Sequence, residues 1–347
     1  MKRLKKLWRA RNNMGLFGKI QYDFVGIGDI VTDAFIKLKE ATVEKYDSTE
    51  QKKLCMRFGD KIPYESVTVI PAVGNAINAS VSASRLGLKS AVITNVGDDY
   101  YGTECLNALK SENVGADFMK VHKNKKTNYH YVLMFGAERT ILIKHEEFEY
   151  GLPDIGKPKW IYLSSLGKNS LPFHSVLEKY LKDNPEIKLA FQPGTYQMKF
   201  GKEALAGIYK RADLFFCNKE EAQRILGTQE KDVKTLMKMI RELGPKIVAI
   251  TDGPNGSYAC NGAHTWYLPM YPDPKPPINR TGAGDAFSST FTVAIVLGKT
   301  VEEALMWGPI NSMSVVQKMG ARAGLLSKKE LENFLAKAPE FYKPELI

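Results

Sequence analysis

The chain has 347 residues, of which 44% are apolar and 25% charged, and 49 Lys and Arg against 38 Asp and Glu give a formal net charge of +11. This composition excludes wholesale disorder and collagen-like repeats. No apolar run approaches the roughly 18 residues of a membrane-spanning helix, and no signal-peptide-like apolar segment follows the basic N-terminus. We expect one large α/β domain with an appendage, or about two domains, and no stable membrane insertion.

Four cysteines stand far apart and form no CxxC pair; they are Cys55, Cys105, Cys217 and Cys260. Isolated thiols of this kind are typical of proteins in a reducing compartment, where they fill space in the core. The sequence therefore predicts a cytoplasmic location.

Residues 1–13 carry six basic side chains and no acidic one, so more than half of the net charge lies in this short segment. Leu4, Leu7 and Trp8 recur at helical spacing, which allows a short amphipathic helix, although a solvated tail explains the same pattern. We treat residues 1–21 as a basic N-terminal extension. Residues 22–340 are predicted to form the main domain.

From Asp23 onward, short apolar segments alternate with stretches of helical periodicity. The predicted strands are 23–28, 91–96, 160–164, 188–191, 213–216 and 246–251. The predicted helices lie near 75–87, 103–113, 170–183, 218–227, 231–243, 285–297 and 302–318. Buried strands separated by helices are typical of an α/β fold with a doubly wound, mostly parallel sheet and helices on both faces.

Two segments interrupt this alternation, at residues 34–70 and 118–145. Each contains strand-like pieces and lacks a convincing helix. We expect them to form a small antiparallel β-sheet that projects from the main layer and acts as a lid.

The most informative motif is the segment 279–287, Asn-Arg-Thr-Gly-Ala-Gly-Asp-Ala-Phe, which opens an apolar helix. Its small residues would let an anion approach the free backbone N–H groups at the start of that helix. Asp285 would lie in the first turn, where a carboxylate either stabilises the helix or accepts a proton from a hydroxyl. From these residues alone, both roles remain open.

Five motifs resemble, in the same order, those of the ribokinase-like (PfkB) carbohydrate kinase family. They are VGIGDIVTD at 25–33, VGNAINASVSASRLGLKSAVITNVGDDYYG at 73–102, NKEE at 218–221, TDGPNG at 251–256 and TGAGDAF at 281–287. The resemblance covers about residues 22–335. It implies a ribokinase-like fold and the transfer of the γ-phosphoryl group of ATP to a hydroxymethyl oxygen.

The resemblance also implies roles for the residues of the last motif. Asp285 would be the general base, and the backbone N–H groups of Gly282, Ala283 and Gly284 would form an anion hole. Arg280 would add a cationic contact to phosphate, although a solvated loop arginine explains this residue equally well.

The nucleotide side of the site follows from two further motifs. Asn218 and Glu221 match the family's NxxE motif, and Thr251, Gly253 and Gly256 match its TxGxxG loop. Because phosphoryl transfer depends on charge neutralisation, Mg²⁺ is implied together with ATP. Glu221 would help to hold Mg²⁺ through water, since this ion keeps most of its hydration shell.

On the acceptor side, the resemblance points to Asp33, Gly74 and Asn78. Asp33 would accept hydrogen bonds from two sugar hydroxyls, Gly74 would allow close backbone approach, and Asn78 would donate and accept. Without the resemblance, Asp33 is interpreted as a turn residue and Asn78 as a polar residue near a helix start.

Three positions depart from the family pattern. Val73 replaces the first glycine of a usual pair, which would change how the acceptor approaches. Asn279 replaces a common aspartate and weakens the case for a monovalent-cation site, because an amide coordinates K⁺ less strongly than a carboxylate. Gln192 stands where the family often has Asp or Asn, and we assign it no role.

Other classes of protein fit less well. Gly26-Ile27-Gly28 lacks the third glycine of a dinucleotide fingerprint, no GxxxxGK[ST] loop occurs, and the five histidines show no metal-binding spacing. The densest basic cluster is the N-terminal tail, whereas nucleic-acid binding needs basic residues spread over one face. A non-catalytic sensor would have lost Asp285 or the anion-hole glycines.

We therefore predict an ATP- and Mg²⁺-dependent kinase of a small sugar. A nucleoside is the alternative acceptor, and a non-catalytic sugar- or nucleotide-binding sensor is less favoured. The resemblance also implies a homodimer formed through the lid, and no nucleic-acid partner is expected.

Overall fold

The computed structural model of the protein describes residues 21–45, 52–136 and 138–347. The predicted basic extension at 1–21 therefore lies outside the described residues, apart from Gln21. The strands are β1 (Phe24–Ile27), β2 (Val31–Leu38), β3 (Thr42–Lys45), β4 (Lys52–Cys55), β5 (Tyr64–Val73), β6 (Ser90–Gly97), β7 (Met119–His122), β8 (Asn128–Phe135), β9 (Glu138–Leu142), β10 (Trp160–Leu163), β11 (Lys188–Phe191), β12 (Leu214–Asn218), β13 (Ile247–Thr251), β14 (Ser257–Cys260), β15 (Thr265–Leu268) and β16 (Glu345–Leu346). The helices are α1 (Asn75–Arg85), α2 (Tyr100–Ser111), α3 (Leu171–Asp183), α4 (Thr195–Phe200), α5 (Ala206–Arg211), α6 (Lys219–Leu226), α7 (Val233–Glu242), α8 (Ala283–Val296), α9 (Val301–Val316) and α10 (Lys328–Ala336).

The strands and helices predicted for the main domain are all present, with ends that differ by a few residues. The predicted α/β fold class is confirmed. The sequence does not predict α4, α5, α10 or β14 to β16, because such short segments carry too little periodicity to be recognised. The last strand, β16, lies beyond residue 340, the predicted end of the domain.

Ten strands form the central sheet, in the order β16-β15-β14-β13-β12-β11-β10-β1-β6-β7. The strands from β13 to β7 run parallel, and β14, β15 and β16 extend one edge antiparallel. Because β7 pairs with β6 in this sheet, the predicted lid segment 118–145 begins too early. Because β7 is a partly exposed edge strand, its sequence mixes polar and apolar residues as that of a lid strand does.

Both faces of the parallel strands are buried, which explains their continuous apolar runs. Successive side chains point to opposite faces, so Phe215 packs on one side of the sheet and Phe216 on the other. Helices α3, α5, α6 and α7 cover the first face, and α1, α8, α9 and α10 cover the second. This arrangement fixes the start of α8 relative to the sheet.

A second sheet of four strands has the order β5-β2-β8-β9. The β2–β5 and β8–β9 pairs are antiparallel, as expected for the lid, whereas β2 and β8 run parallel. Its inner face packs Phe35, Val132 and Met134 against Met319, which follows α9. The strands β3 and β4 form a separate antiparallel pair. In the described part of the chain, no helix has the length and hydrophobicity needed to span a bilayer.

We predict that Phe291→Ala strongly destabilises the protein. Phe291 is fully buried on α8, and its ring centroid lies 5.5 Å from that of Phe216. Removing such a side chain leaves a cavity and costs about 3–5 kcal/mol. Urea unfolding should show this loss, whereas Leu297→Ala, at a position 39% exposed, should lower the free energy of unfolding by less than about 1 kcal/mol. Equal losses in the two variants would contradict the packing described for α8.

Candidate active site

The candidate site lies at the carboxyl ends of the parallel strands, where α/β sheets bind ligands. Gln192 follows β11, Asn218 ends β12 and Thr251 ends β13. Asn218 and Thr251 are direct neighbours in the β12–β13 register. The NKEE and TDGPNG motifs therefore lie side by side, and a contact between Asp285 and Gln192 joins the start of α8 to the same edge.

Helix α8 begins with the small residues predicted to form the anion hole. Gly282 has a φ of +85°, and a Cβ there would lie 2.4 Å from the Cβ of Ala321. The first hydrogen bond within the helix runs from the N–H of Ala286 to the carbonyl oxygen of Gly282. The N–H groups of Ala283 and Gly284 precede it, so they have no helical acceptor and form the positive end of the helix dipole.

The space beside Gly284 is open. A Cβ built there would contact only Nε2 of Gln192, at 3.9 Å. The preceding turn is held by Asn279, whose Oδ1 accepts a hydrogen bond from the N–H of Thr281 at 2.7 Å. The result is a fixed backbone with room for an anion.

Asp285 lies in the first turn of α8 and is 8% exposed. Its Oδ1 accepts hydrogen bonds from the side-chain amides of Asn75, at 2.9 Å, and Gln192, at 3.2 Å. Its Oδ2 accepts one from Asn78, at 2.8 Å. Burial raises the pKa of Asp285, and the three amide donors act in the opposite direction. The carboxylate is therefore held in one orientation and is more basic than an exposed aspartate.

Two hydroxyl groups fix the orientation of the Gln192 amide. Tyr162 Oη lies 2.5 Å from Gln192 Oε1, and Ser288 Oγ lies 3.2 Å from the same oxygen. Burial, reinforced by the charge of Asp285, raises the pKa of Tyr162 well above its ordinary value, so the phenol keeps its proton and donates. With its oxygen occupied, Gln192 presents Nε2 to Asp285. Sequence analysis misses this network because no motif contains Tyr162 or Gln192.

Asn218 and Glu221 cap the start of α6 reciprocally. Asn218 Oδ1 accepts from the N–H of Glu221, and a Glu221 carboxylate oxygen accepts from the N–H of Asn218, both at 2.8 Å. Helix capping therefore explains part of the NKEE motif. Burial raises the pKa of Glu221, and the carboxylate of Asp285 contributes to the rise. A cation near these two acidic groups would relieve their repulsion.

The residues present fit Mg²⁺ bound through water better than Mg²⁺ held directly. Among the described residues, no group of three or more His, Cys, Asp or Glu side chains is arranged to hold a metal ion. Glu221, partly buried and repelled by Asp285, suits an ion that keeps most of its hydration shell.

The TDGPNG loop turns sharply after β13. Gly253 is exposed and has a φ of +52°, and residues 253–255 form a single 3₁₀ turn. Gly256 has a φ of +97°, and a Cβ there would lie 2.4 Å from the carbonyl oxygen of Leu268. Lys219 Nζ lies 3.2 Å from an Asp252 carboxylate oxygen, which ties this loop to the NKEE motif.

Two arginines lie near the start of α8. Arg280 is exposed. Arg139, on the lid strand β9, has a buried Nε without a hydrogen-bond partner. Burial lowers the pKa of Arg139, and the positive charge of Arg280 acts in the same direction. Two neighbouring cations of this kind favour a bound anion. The sequence places Arg139 in the lid but carries no signal for this contact.

Of the three predicted acceptor residues, the structure brings one into contact with Asp285. Asn78 contacts Asp285 directly, through the hydrogen bond described above. Gly74 has a φ of +126°, and a Cβ there would lie 2.3 Å from the carbonyl oxygen of Asp29. Asp33 is 7% exposed, and its Oδ1 has no hydrogen-bond partner. Sequence analysis does not single out Asp29, whose carboxylate accepts a hydrogen bond from Tyr150.

Comparison with known proteins identifies the family. Residues 43–328 match the model of the pfkB family carbohydrate kinases. Ribokinase of Bacillus subtilis (strain 168) is 26% identical over 285 residues, which cover 80% of this chain and 92% of the relative.

Solved structures show the same fold. The ribokinase of Arabidopsis thaliana, complexed with ribose and ATP, has a TM-score of 0.74 at 18% identity, covering 91% of this chain and 99% of the other. A nucleoside kinase of Methanocaldococcus jannaschii, an archaeal member of the ribokinase family, has a TM-score of 0.70 at 18% identity, covering 90% and 98%. The predicted ribokinase-like fold and phosphotransferase class are confirmed. The chain belongs to the pfkB family of carbohydrate kinases.

Proposed function

We propose that this protein transfers the γ-phosphoryl group of ATP to a hydroxymethyl group of a small sugar. The observation that carries the proposal is the buried carboxylate of Asp285 in the first turn of α8, beside backbone N–H groups that lack helical acceptors. A base and an anion site within one helical turn suit this reaction, because one takes the proton and the other the developing negative charge. A nucleoside is the alternative acceptor, since its ribose presents a similar hydroxymethyl group.

Asp285 acts as the general base. It accepts the proton of the acceptor hydroxyl as the oxygen forms a bond to the γ-phosphorus, and the bond from that phosphorus to the bridging oxygen breaks to release ADP. The burial that raises the pKa of Asp285 strengthens it as a proton acceptor. A positioned base contributes about 10²–10⁴-fold to the rate.

The transferred group lies over the start of α8. The backbone N–H groups of Gly282, Ala283 and Gly284 stabilise its negative charge at the positive end of the helix dipole. Arg280 supplies a further positive charge. Arg139 joins it from the lid, which its unpaired Nε supports.

ATP lies along the ends of β12 and β13 in this proposal. Asn218 and Thr251 line the edge of the sheet, and exposed Gly253 keeps the loop backbone accessible to the nucleotide. Gly256 lets the same loop pack closely against Leu268. Glu221 would hold Mg²⁺ through water, and Mg²⁺ when bound would neutralise phosphate charge.

Asp33, Gly74 and Asn78 hold the acceptor. Asp33 offers an unpaired carboxylate oxygen to sugar hydroxyls, and the positive φ of Gly74 keeps the backbone beside it free of a side chain. Asn78 connects the acceptor to the base, because its Nδ2 is bonded to Asp285 while its Oδ1 has no partner.

A requirement for a monovalent cation is not part of the proposal. Asn279 is 2% exposed, its Oδ1 is bonded to the N–H of Thr281, and its Nδ2 lies 3.9 Å from the sulfurs of Met134 and Met319. An amide placed in this way offers a cation no charge and no free oxygen of its own.

We also propose that the protein is a cytoplasmic homodimer that associates through the lid. All four cysteines are free thiols, as in a reducing compartment. The outer face of the lid exposes large apolar side chains that a second copy would cover; Tyr64, Val67, Val69, Tyr131 and Leu142 are 44–59% exposed.

A panel of acceptors tests the proposed function. We expect ADP release above the ATPase background with at least one uncharged sugar bearing a hydroxymethyl group, measured in a coupled assay with ATP and Mg²⁺. If only nucleosides stimulate ADP release, the acceptor is a nucleoside and not a free sugar. If no member of the panel stimulates ADP release, the kinase proposal is contradicted.

Asp285→Asn should lower kcat by about 10²–10⁴-fold, because an amide cannot accept the hydroxyl proton. ATP should still bind, as measured by calorimetric titration, since the nucleotide contacts remain. The matched variant Asp183→Asn changes an exposed aspartate at the end of α3 and should retain full kcat. Substantial residual kcat in Asp285→Asn would contradict the assignment of Asp285 as the base.

Gln192→Leu should move the acidic limb of the kcat/KM profile to higher pH. The Gln192 amide lowers the pKa of Asp285, so its loss lets burial raise that pKa further, and the base must be ionised to work. One lost hydrogen bond to a charged group, at about 1.5–3 kcal/mol, corresponds to a shift of about 1–2 pH units. Gln223→Leu, which removes an amide bonded to the carbonyl of Glu230, should leave the limb in place. A shift to lower pH would contradict the network.

A further inference from the structure

A cluster of two carboxylates and two imidazoles lies on the acceptor side of the base. His130 on β8 is opposite Asp33 on β2 in the lid sheet, and His130 Nδ1 lies 3.4 Å from Asp33 Oδ1. His145 follows β9, and its Nδ1 lies 3.4 Å from an oxygen of Asp29. The two imidazole centroids are 5.1 Å apart. The lid sheet and the loop after β1 therefore bring two similar pairs together.

The polar atoms of this cluster are buried and incompletely hydrogen-bonded. Asp33 Oδ1 and His145 Nδ1 face the other member of their own pair at 3.4 Å without a hydrogen bond, and His130 Nε2 has no hydrogen-bond partner. Asp33 and Asp29 are 7% and 5% exposed. Buried polar groups are normally hydrogen-bonded, and each one left unpaired costs free energy. The unpaired atoms therefore indicate a ligand that supplies the missing partners.

The start of α1 links this cluster to Asp285. Gly74 precedes α1, and a Cβ there would lie 2.3 Å from the carbonyl oxygen of Asp29. Asn78, in the first turn of α1, donates from Nδ2 to Asp285 at 2.8 Å, which leaves its Oδ1 buried and without a hydrogen-bond partner. A ligand that donates to Asn78 Oδ1 therefore lies next to Asp285.

The chemistry of these atoms selects the ligand. Carboxylate and amide oxygens only accept hydrogen bonds, whereas each imidazole nitrogen donates or accepts according to its tautomer. Hydroxyl groups satisfy both kinds of partner. A phosphate or carboxylate group would bring acceptors alone and would place a negative charge beside Asp29 and Asp33.

A metal ion is a poor occupant of the cluster. In the described ranges, no set of three or more His, Cys, Asp and Glu side chains has an arrangement suited to a metal. Tyr150 also occupies the Asp29 carboxylate, to which it donates at 2.9 Å.

We infer that His130 and His145 are specificity-determining residues that bind an uncharged acceptor through adjacent hydroxyl groups, and that Asp29 and Asp33 exclude phosphorylated and acidic sugars. This inference rests on the proposed function and names its acceptor class. Adjacent hydroxyls occur both in free sugars and in the ribose of nucleosides, so this chemistry is common to the two.

Matched acceptors test the inference on the unmodified enzyme. D-Ribose is compared with 2-deoxy-D-ribose, adenosine with 2′-deoxyadenosine, and D-fructose with D-fructose 6-phosphate, each by ADP release. In the first two pairs, the deoxy compound should have a kcat/KM about ten- to hundredfold lower than its parent, because buried groups that bind the missing hydroxyl are left unpaired. The first two pairs distinguish a free sugar from a nucleoside. A higher kcat/KM for the phosphorylated sugar would overturn the inference while leaving the kinase proposal intact.

Variants of the histidines provide the second arm. His130→Leu and His145→Leu should each raise the KM of the preferred uncharged acceptor about tenfold with a smaller change in kcat, since the base and anion site remain. His130→Gln keeps a donor and an acceptor and should recover most of the loss. His264→Leu, on the exposed loop between β14 and β15, is the control. A wild-type KM in both leucine variants, with Tm unchanged, would overturn the inference.

Direct binding separates the two proposals. Asp285→Asn is titrated calorimetrically with D-ribose, adenosine, D-fructose and D-fructose 6-phosphate, so that no turnover is needed. Tighter binding of an uncharged compound, weakened by the added change His130→Leu, supports the inference. Tighter binding of the phosphorylated sugar overturns it. If no acceptor binds and none stimulates ADP release, the proposed function fails and the inference fails with it.

Discussion

The structure depends on the burial of one charged group, the carboxylate of Asp285, which is 8% exposed. A buried charge needs donors, and the chain supplies three amides from residues that lie 210, 207 and 93 positions away in sequence. Asn75 and Asn78 come from the helix that follows the lid strand β5, and Gln192 comes from the end of β11. The doubly wound sheet brings these segments to one edge, so the fold is a condition for keeping Asp285, the proposed base, charged and oriented.

The same carboxylate organises the residues behind it. Its charge helps to keep Tyr162 protonated, and Tyr162 in turn fixes the Gln192 amide that faces it. It also contributes to the raised pKa of Glu221 on the nucleotide side. Asp285, Tyr162 and Glu221 are therefore coupled electrostatically, and a change in the charge of Asp285 alters the pKa of the other two.

Several buried polar atoms of the lid have no hydrogen-bond partner. Its strands carry Asp33, His130 and Arg139, each with a buried side-chain atom that lacks a hydrogen-bond partner. The central sheet, by contrast, is packed on both faces by helices. In our proposals, acceptor and phosphate supply the missing partners, so that ligand binding and lid packing stabilise each other.

Apolar periodicity in the sequence determined the α/β class and the main strands and helices, because burial on both faces of a sheet leaves unbroken apolar runs. The motifs also located Asp285 and the glycines around it, since a helix start with φ above zero and an open backbone tolerates few residue types. Only the tertiary structure showed that Asn75 and Gln192 donate to Asp285, and only it revealed Tyr162, Arg139 and the histidine pair. Only strand pairing assigned β7 to the central sheet. These roles depend on contacts between segments that are far apart in the sequence. The residues around a single side chain do not indicate which distant residue it will contact.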